Sequence, residues 1–465
     1  MTNSSPGNSG PNDAINALVR NVVKTRYEDL SEGAVDATKT FVLDAFGVAI
    51  VGTLAPGVPE TLGLLGEWGG KAESTVLVSG ERLPAPSSAM MNSFLMHNQE
   101  FDPVHDLAVV HAFTTVLPVA LAVAEAQGGV TGRELLTAVA LGVDVACSIG
   151  ISSRSPMAHF RPGTLGAFGA VAAAGKISGL DRATLTHAMG IVYSQICGTL
   201  QPHTEGVQVN SMQTGFNARA AVTAISLADR GIQGPTEVLE GRYGYFPLFE
   251  GKYDVEDVLA NLGSVWQVEQ IGHKPFPCGR LTHGAAEAAL ILKERYGFMA
   301  EDVDEVEVLV PPLPYRLVGR PLDEGTPSPQ YAKLCIPYVA AVALFRGTVF
   351  ITDFWEERLK DPEVRELASR ITAVEDRTIM DQNVMVPQRM RIRLKDGAEH
   401  ELTLDQLLGH PDKPLSRDQH LEKFHACWAA GAGHLPDSNR DRLAELVDGL
   451  EDVPSVEEII RLLVP

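Results

Sequence analysis

The densest group of side chains able to move protons is His97-Asn-Gln-Glu100-Phe-Asp102-Pro-Val-His105-Asp106, followed after a short apolar stretch by His111. Imidazole exchanges protons near neutral pH, and neighbouring carboxylates set its orientation and charge, so this cluster suits general acid–base catalysis. The same donors suit zinc or another divalent ion, although no HExxH-like frame is present and Pro103 favours a loop. Histidines on a solvated connection are the plain alternative. A second group, His159-Phe-Arg161-Pro-Gly-Thr164, ends a loop just before an Ala/Gly-rich helix. A helix N-terminus offers free N–H groups and partial positive charge, so Arg161 beside it would form a carboxylate clamp, unless it is simply solvated. His203 and Asn210 fall in a polar segment between helices and read as structural before functional.

The third group is His273-Lys274-Pro-Phe-Pro-Cys278-Gly-Arg280-Leu-Thr-His283. Two prolines stiffen the loop and a helix is expected to begin near Thr282, which presents cationic and titratable side chains at a helix start. Cys278 as a nucleophile would need an activated thiolate and a partner His; a packed thiol, or one beside substrate, is the simpler reading. Arg320 and Lys333 are further cations, either of which could be solvated.

Helical spacing dominates from Ala14 to about Gly251, with candidate helices over residues 35–51, 117–127, 134–149, 166–179, 183–198 and 215–231, joined at Gly or Pro. The small residues of Thr164-Leu-Gly-Ala-Phe-Gly-Ala-Val-Ala-Ala-Ala-Gly175 place that segment at the centre of a bundle. A nucleotide loop is disfavoured there, because no strand precedes the glycines and GxGxxG spacing is absent. The pattern changes near Lys274: residues 303–310 read as a strand, 332–345 as a helix, and 389–394 with 399–404 as a hairpin turning at Asp396-Gly397. Helical period returns after Pro414 over residues 421–430, 440–450 and 456–463, with Ser416 and Ser455 as expected caps.

A chain of 465 residues favours two domains, and 45% apolar with 21% charged residues is globular composition. The formal charge of −21 opposes nucleic acid and anionic membranes, and makes any gathered cations informative. Five dispersed cysteines without CxxC spacing read as reduced thiols, and residues 1–13 read as a frayed tail rather than a signal peptide. The apolar stretch over residues 41–51 contains Asp44 and is too short to span a bilayer.

Five separated segments resemble the MmgE/PrpD family, in the family's order across almost the whole chain: residues 88–121, residues 159–180, Lys274-Pro-Phe-Pro-Cys278 with His283, Ala332-Lys-Leu-Cys-Ile-Pro-Tyr-Val-Ala340, and Gly409-His-Pro-Asp-Lys-Pro-Leu-Ser416 with Lys423-Phe424. The resemblance implies a mainly α fold with an inserted α+β domain. Its discontinuous all-helical bundle would cover residues 1–272 and 412–465, with the α+β domain at 273–411. It also implies a homodimer, no cofactor, and an active site in the crevice between the domains; the reduced thiols read as cytoplasmic, and no metal is expected.

Family activities include 2-methylcitrate dehydration, cis-aconitate decarboxylation and iminodisuccinate epimerisation. All involve protons on carbon beside carboxylates. By resemblance His111 is the active-site histidine, Lys274 the loop lysine, and Glu100 the first acid of an Asp-Phe-Asp-Asp-Thr motif that departs here after Asp102. Arg161 stands where other branches carry a histidine, Asn210 where they carry a lysine, and Leu317 near a tyrosine position, which turns one acid/base position into a binding one.

The resulting expectation is a cofactor-free hydro-lyase acting on a small di- or tricarboxylate. His111, Glu100, Asp102, His105 and Lys274 form its catalytic set. Arg161, His159, Arg280, His283, Cys278, Asn210 and Arg320 form its substrate-binding set. An epimerase, a decarboxylase and a non-catalytic carboxylate-binding protein are the alternatives.

Overall fold

A computed structural model describes residues 13–322, 325 and 327–465. Residues 1–12 of the expected tail lie outside the described residues, whereas Asp13 is buried and accepts from the Glu240 N–H at 2.8 Å, so it belongs to the fold. The chain is mainly α with a smaller α+β part. The long helices of the first half are α1 (Glu32–Gly52), α2 (Ala85–His97), α3 (Phe113–Ala126), α4 (Gly132–Ile151), α5 (Arg161–Ile177), α6 (Arg182–Tyr193) and α7 (Val209–Asp229). Their starts are chemically marked. Ser31 accepts from Ala34 N–H at α1, Asp181 from Thr184 N–H at α6, and Thr131 with Glu134 forms a reciprocal cap at α4.

Helices α4 and α5 cross at the bundle centre, where a Cβ on Gly169 would meet the Gly142 carbonyl oxygen at 2.4 Å. Glycine is required at that crossing, as the small-residue pattern predicts. Helix α4 is apolar and 20 residues long, enough by length and composition to cross a membrane, yet 89% of its apolar window is buried within the fold.

Several boundaries differ from the sequence reading. Helix α5 starts at Arg161 rather than at 166, because Pro162 fits the first turn, where no N–H is needed. Helix α3 starts at Phe113, with Pro118 in its second turn. Helix α7 starts at Val209, so Asn210 lies on a helix and not between helices. The expected helix over 332–345 is two: a one-turn helix Pro329–Lys333 precedes extended Cys335 and a second helix, Ile336–Arg346, follows it, each with a proline in its first turn.

The α+β part contains α8 (His283–Tyr296), α9 (Ile336–Arg346) and a four-stranded sheet. Its strands are β1 (Val303–Val310), β2 (Ile371–Glu375), β3 (Gln388–Leu394) and β4 (Glu399–Leu404), in the order β2-β1-β3-β4. β1 and β2 run parallel; the other pairs are antiparallel. Gly397 takes φ 90° in the β3–β4 turn, as its Asp-Gly pair predicts. Helix α10 (Arg417–Gly431) then returns to pack on α1, capped by Ser416.

One apolar core gathers residues from 14 to 271 and again from 424 to 463. A second gathers residues 276–404, with Val109 and Met157 reaching into it. Val48, Val51, Phe101, Ile351 and Cys427 form a small cluster that joins segments serving both.

Candidate active site

Helix α2 delivers His97 at its last turn, and the chain then reverses through Glu100, whose N–H donates to the His97 carbonyl at 3.0 Å. Glu100 has φ 52°, a left-handed conformation that disfavours a side-chain-bearing residue by about 1–2 kcal/mol. Four residues later Val104–His105 pairs antiparallel with Ile271–Gly272. This short ladder lays the acidic turn against Lys274, which follows Gly272 by two residues.

The resulting centre is compact and buried. One oxygen of Asp102, Oδ2, accepts from His97 Nδ1 at 3.0 Å and from His111 Nδ1 at 2.5 Å. Lys274 Nζ lies 3.0 Å from Glu100 Oε2 and 3.5 Å from Asp102 Oδ1. Gln330 Nε2 donates to the other Glu100 oxygen at 3.2 Å. A carboxylate only accepts, so each Nδ1 carries hydrogen, and a neutral ring keeps its lone pair on Nε2. His97 Nε2 is buried without a partner. His97, Glu100 and His111 line a cavity of about 60 Å³.

Charge is unevenly shared in this group. Burial pushes the Glu100 carboxyl up, but Lys274, His97 and His111 together outweigh it and hold the group at about 2. Burial likewise opposes the Asp102 carboxylate, and Lys274, His111 and His97 together hold it well below the usual range. The two imidazoles diverge. Burial lowers both, but at His97 the carboxylates of Asp102 and Glu100 prevail and raise it, whereas at His111 burial, aided by Lys274, wins and lowers it. Because both rings share Asp102, their protons come off as a coupled set.

The structure brings His111, Glu100, Asp102 and Lys274 together and separates most other expected site residues from them. His105 is a framework residue: Nδ1 accepts from Ala108 N–H and Nε2 faces Gln267 Oε1, so neither nitrogen is free for substrate. Arg161 is no free clamp, because Nε and Nη2 bind the two oxygens of Glu250 at 2.9 and 2.8 Å and Nη2 also reaches Ser153. His159 belongs to that network through Tyr245, whose hydroxyl lies 2.7 Å from its Nε2. Arg280 lines the small cavity but grips Asp106 through two nitrogens and the Leu408 carbonyl through a third.

Cys278 is buried, and burial pushes its thiol up to about 12, which removes it as a nucleophile. His283 Nε2 faces the Cys278 carbonyl at 3.1 Å. Arg320 donates to the carbonyls of His203, Thr204 and Tyr331 and stacks on the Tyr331 ring, so it braces the chain. Asn210 is fully buried with neither side-chain polar atom partnered.

The expected catalytic and binding sets left out four participants, although His97 and Lys333 were noted as a cluster histidine and a further cation. His97 sits five residues before Asp102, a separation that a helix end and reversal can close. Gln330 and Lys333 lie on a one-turn helix just before an apolar run, where a polar pair is conspicuous. Glu250, the partner of Arg161, carries no local signal.

Among the described residues, two trios could by residue type hold a metal ion: His97, Asp102 and His111, and separately Asp44, His273 and His420. In the first, both Nδ1 atoms already point at Asp102, and Lys274 stands beside it. In the second, Lys423 Nζ is 2.7 Å from Asp44 Oδ1. An ion at either place would face a fixed ammonium, which opposes a second positive charge there.

Two family descriptions match the chain: MmgE/PrpD N-terminal domain over residues 16–257, and MmgE/PrpD C-terminal domain over residues 276–452. The chain is 27% identical to the cis-aconitate decarboxylase of Mus musculus over 454 residues, covering 94% of this chain and 91% of the relative. It is 27% identical over 460 residues to the cis-aconitate decarboxylase of Aspergillus terreus, covering 94% and 93%. The mitochondrial 2-methylcitrate dehydratase of Yarrowia lipolytica is 24% identical over 223 residues, covering 43% of this chain and 40% of the relative.

Proposed function

The chain belongs to the MmgE/PrpD family, and from that premise we propose that it is a lyase that moves a proton at a carbon next to a carboxylate of a small polycarboxylate. The observation that carries this reading is the single Asp102 oxygen shared by His97 and His111 at the wall of a cavity. Two imidazoles pushed in opposite directions supply an acid and a base at the same pH.

Hydro-lyase chemistry is the first reading. His111 Nε2 takes the proton from the α-carbon, and the freed electron pair forms the C=C bond as the C–O bond breaks. His97, as imidazolium, gives the departing hydroxyl its proton, so water leaves. Asp102 holds both rings in the required tautomer and balances the imidazolium charge. Lys274 keeps Asp102 ionised, and Glu100 holds Lys274 in place; both act through Asp102 and are positioning residues. The relatives that match over nearly their full length favour decarboxylation as a second reading, with an imidazolium protonating carbon as carbon dioxide departs. The relatives compared are lyases by name, which gives the epimerase reading no support. A homodimer in the cytoplasm, working without cofactor, goes with this proposal.

The test is proton NMR in heavy water with 2-methylcitrate, cis-aconitate and iminodisuccinate in turn. Loss of water or of carbon dioxide, with deuterium entering the position beside a carboxylate, is the expected result, unchanged by EDTA. Saturable binding without exchange in any of the three would contradict it.

A further inference from the structure

Five residues with polar side chains line the cavity at His111: His97, Glu100, His111, His203 and Arg280. Four of them are already held. Asp102 takes the Nδ1 hydrogens of His97 and His111, Lys274 and Gln330 donate to Glu100, and Asp106 grips Arg280. The fifth, His203, reads in sequence as structural, yet among the described residues its buried ring makes no hydrogen bond. Buried polar groups in folded chains are nearly always partnered, so an open ring on the wall of a reaction cavity asks for a ligand.

The backbone that carries this ring is tied down. His203 sits in the one-turn helix Gln201–Glu205, and Arg320 donates to the His203 and Thr204 carbonyls at 3.0 and 2.6 Å. A fixed turn with a free side chain presents that side chain to the cavity instead of spending it on the fold. Arg320 and Glu100 are the charged groups that face the ring. Burial, aided by Arg320 and opposed by Glu100, lowers the imidazole to about 4, so the ring is uncharged near neutrality.

A neutral imidazole offers one N–H and one lone pair. A carboxylate, which only accepts, can use the N–H alone, and at this place it would also stand near the ionised Glu100. A hydroxyl is satisfied at either nitrogen, since it donates as well as accepts, and it brings no charge. The other lining residues carry no polar side chain that could compete for it.

We propose that His203 contacts the substrate and sets its specificity, by a hydrogen bond between its neutral ring and a substrate hydroxyl. The inference rests on the lyase reading above and adds a specificity-determining residue to that same site. His203 takes up no proton in the reaction; the proton for the departing hydroxyl still comes from His97.

Calorimetric titration of the full chain with hydroxymalonate and with malonate tests this, because the two differ by one hydroxyl and neither can eliminate water. The parent chain binds hydroxymalonate about tenfold more tightly, as one well-placed hydrogen bond allows. His203→Leu weakens hydroxymalonate about tenfold and leaves malonate unchanged, which erases the preference. His203→Gln, whose amide also offers a donor and an acceptor, restores part of it. Equal binding of the two ligands by the parent chain overturns the inference, and that comparison needs no variant to fold. Equal weakening of both ligands in His203→Leu, the mark of a merely structural residue, overturns it too. Failure of the lyase reading is recognised separately, as absence of carbon–hydrogen exchange.

Discussion

At Asp102 one carboxylate oxygen orients two imidazoles whose proton affinities are pushed apart, and the pH dependence follows from that arrangement. A base must be unprotonated, so kcat/KM rises with pH as His111 loses its proton, at a pH below the ordinary imidazole value of 6.5. An acid must be protonated, so activity falls again as His97 loses its own above 6.5. The expected profile is a broad bell centred near neutrality. His97→Gln should slow turnover by roughly 10²-fold and remove the alkaline limb, read from kcat/KM against pH. An intact alkaline limb would take the acid role away from His97.

At this scale His111, Glu100, Asp102 and Lys274 were readable because three of them crowd one loop and the fourth sits in a proline-stiffened basic segment. The roles of Arg161, Arg280 and Arg320 were not. A free guanidinium and one gripped by Glu250, Asp106 or a carbonyl look alike in sequence, because the partner lies far along the chain.

The elements that hold the site are the end of α2, the start of α3 and the two-residue ladder joining Val104–His105 to Ile271–Gly272. Such a ladder is too short for any alternation of apolar and polar residues to announce it, so the approach of Lys274 to the acidic turn was legible only through resemblance. Helix positions, by contrast, follow from apolar spacing, and the errors fall at helix starts: a proline sits in the first turn at α5, α9 and Pro329–Lys333, whereas α3 and α7 begin earlier than expected without one there. The α4–α5 crossing follows from the glycines themselves. Gly169→Ala places a Cβ against a backbone oxygen that cannot swing aside, and should destabilise the chain by about 1–3 kcal/mol in urea denaturation. A variant as stable as the parent would show that the two helices can separate without loss.

Over the whole molecule, the reacting groups stand where segments of two apolar cores meet. His97, Asp102 and His111 lie on segments that feed the larger core, and Lys274, which positions Asp102, lies at the edge of the smaller. The change of pattern near Lys274 and the helical return after Pro414 made the α+β insertion legible. The cavities could not be read, since their walls are drawn from residues hundreds of positions apart. The account stands or falls on His111 as the group that takes hydrogen from carbon. The direct measurement is deuterium uptake beside the carboxylate of a turned-over substrate, compared between the parent chain and His111→Gln. The account predicts uptake slowed by about 10²–10⁴-fold with ligand affinity retained; uptake at the parental rate would contradict it.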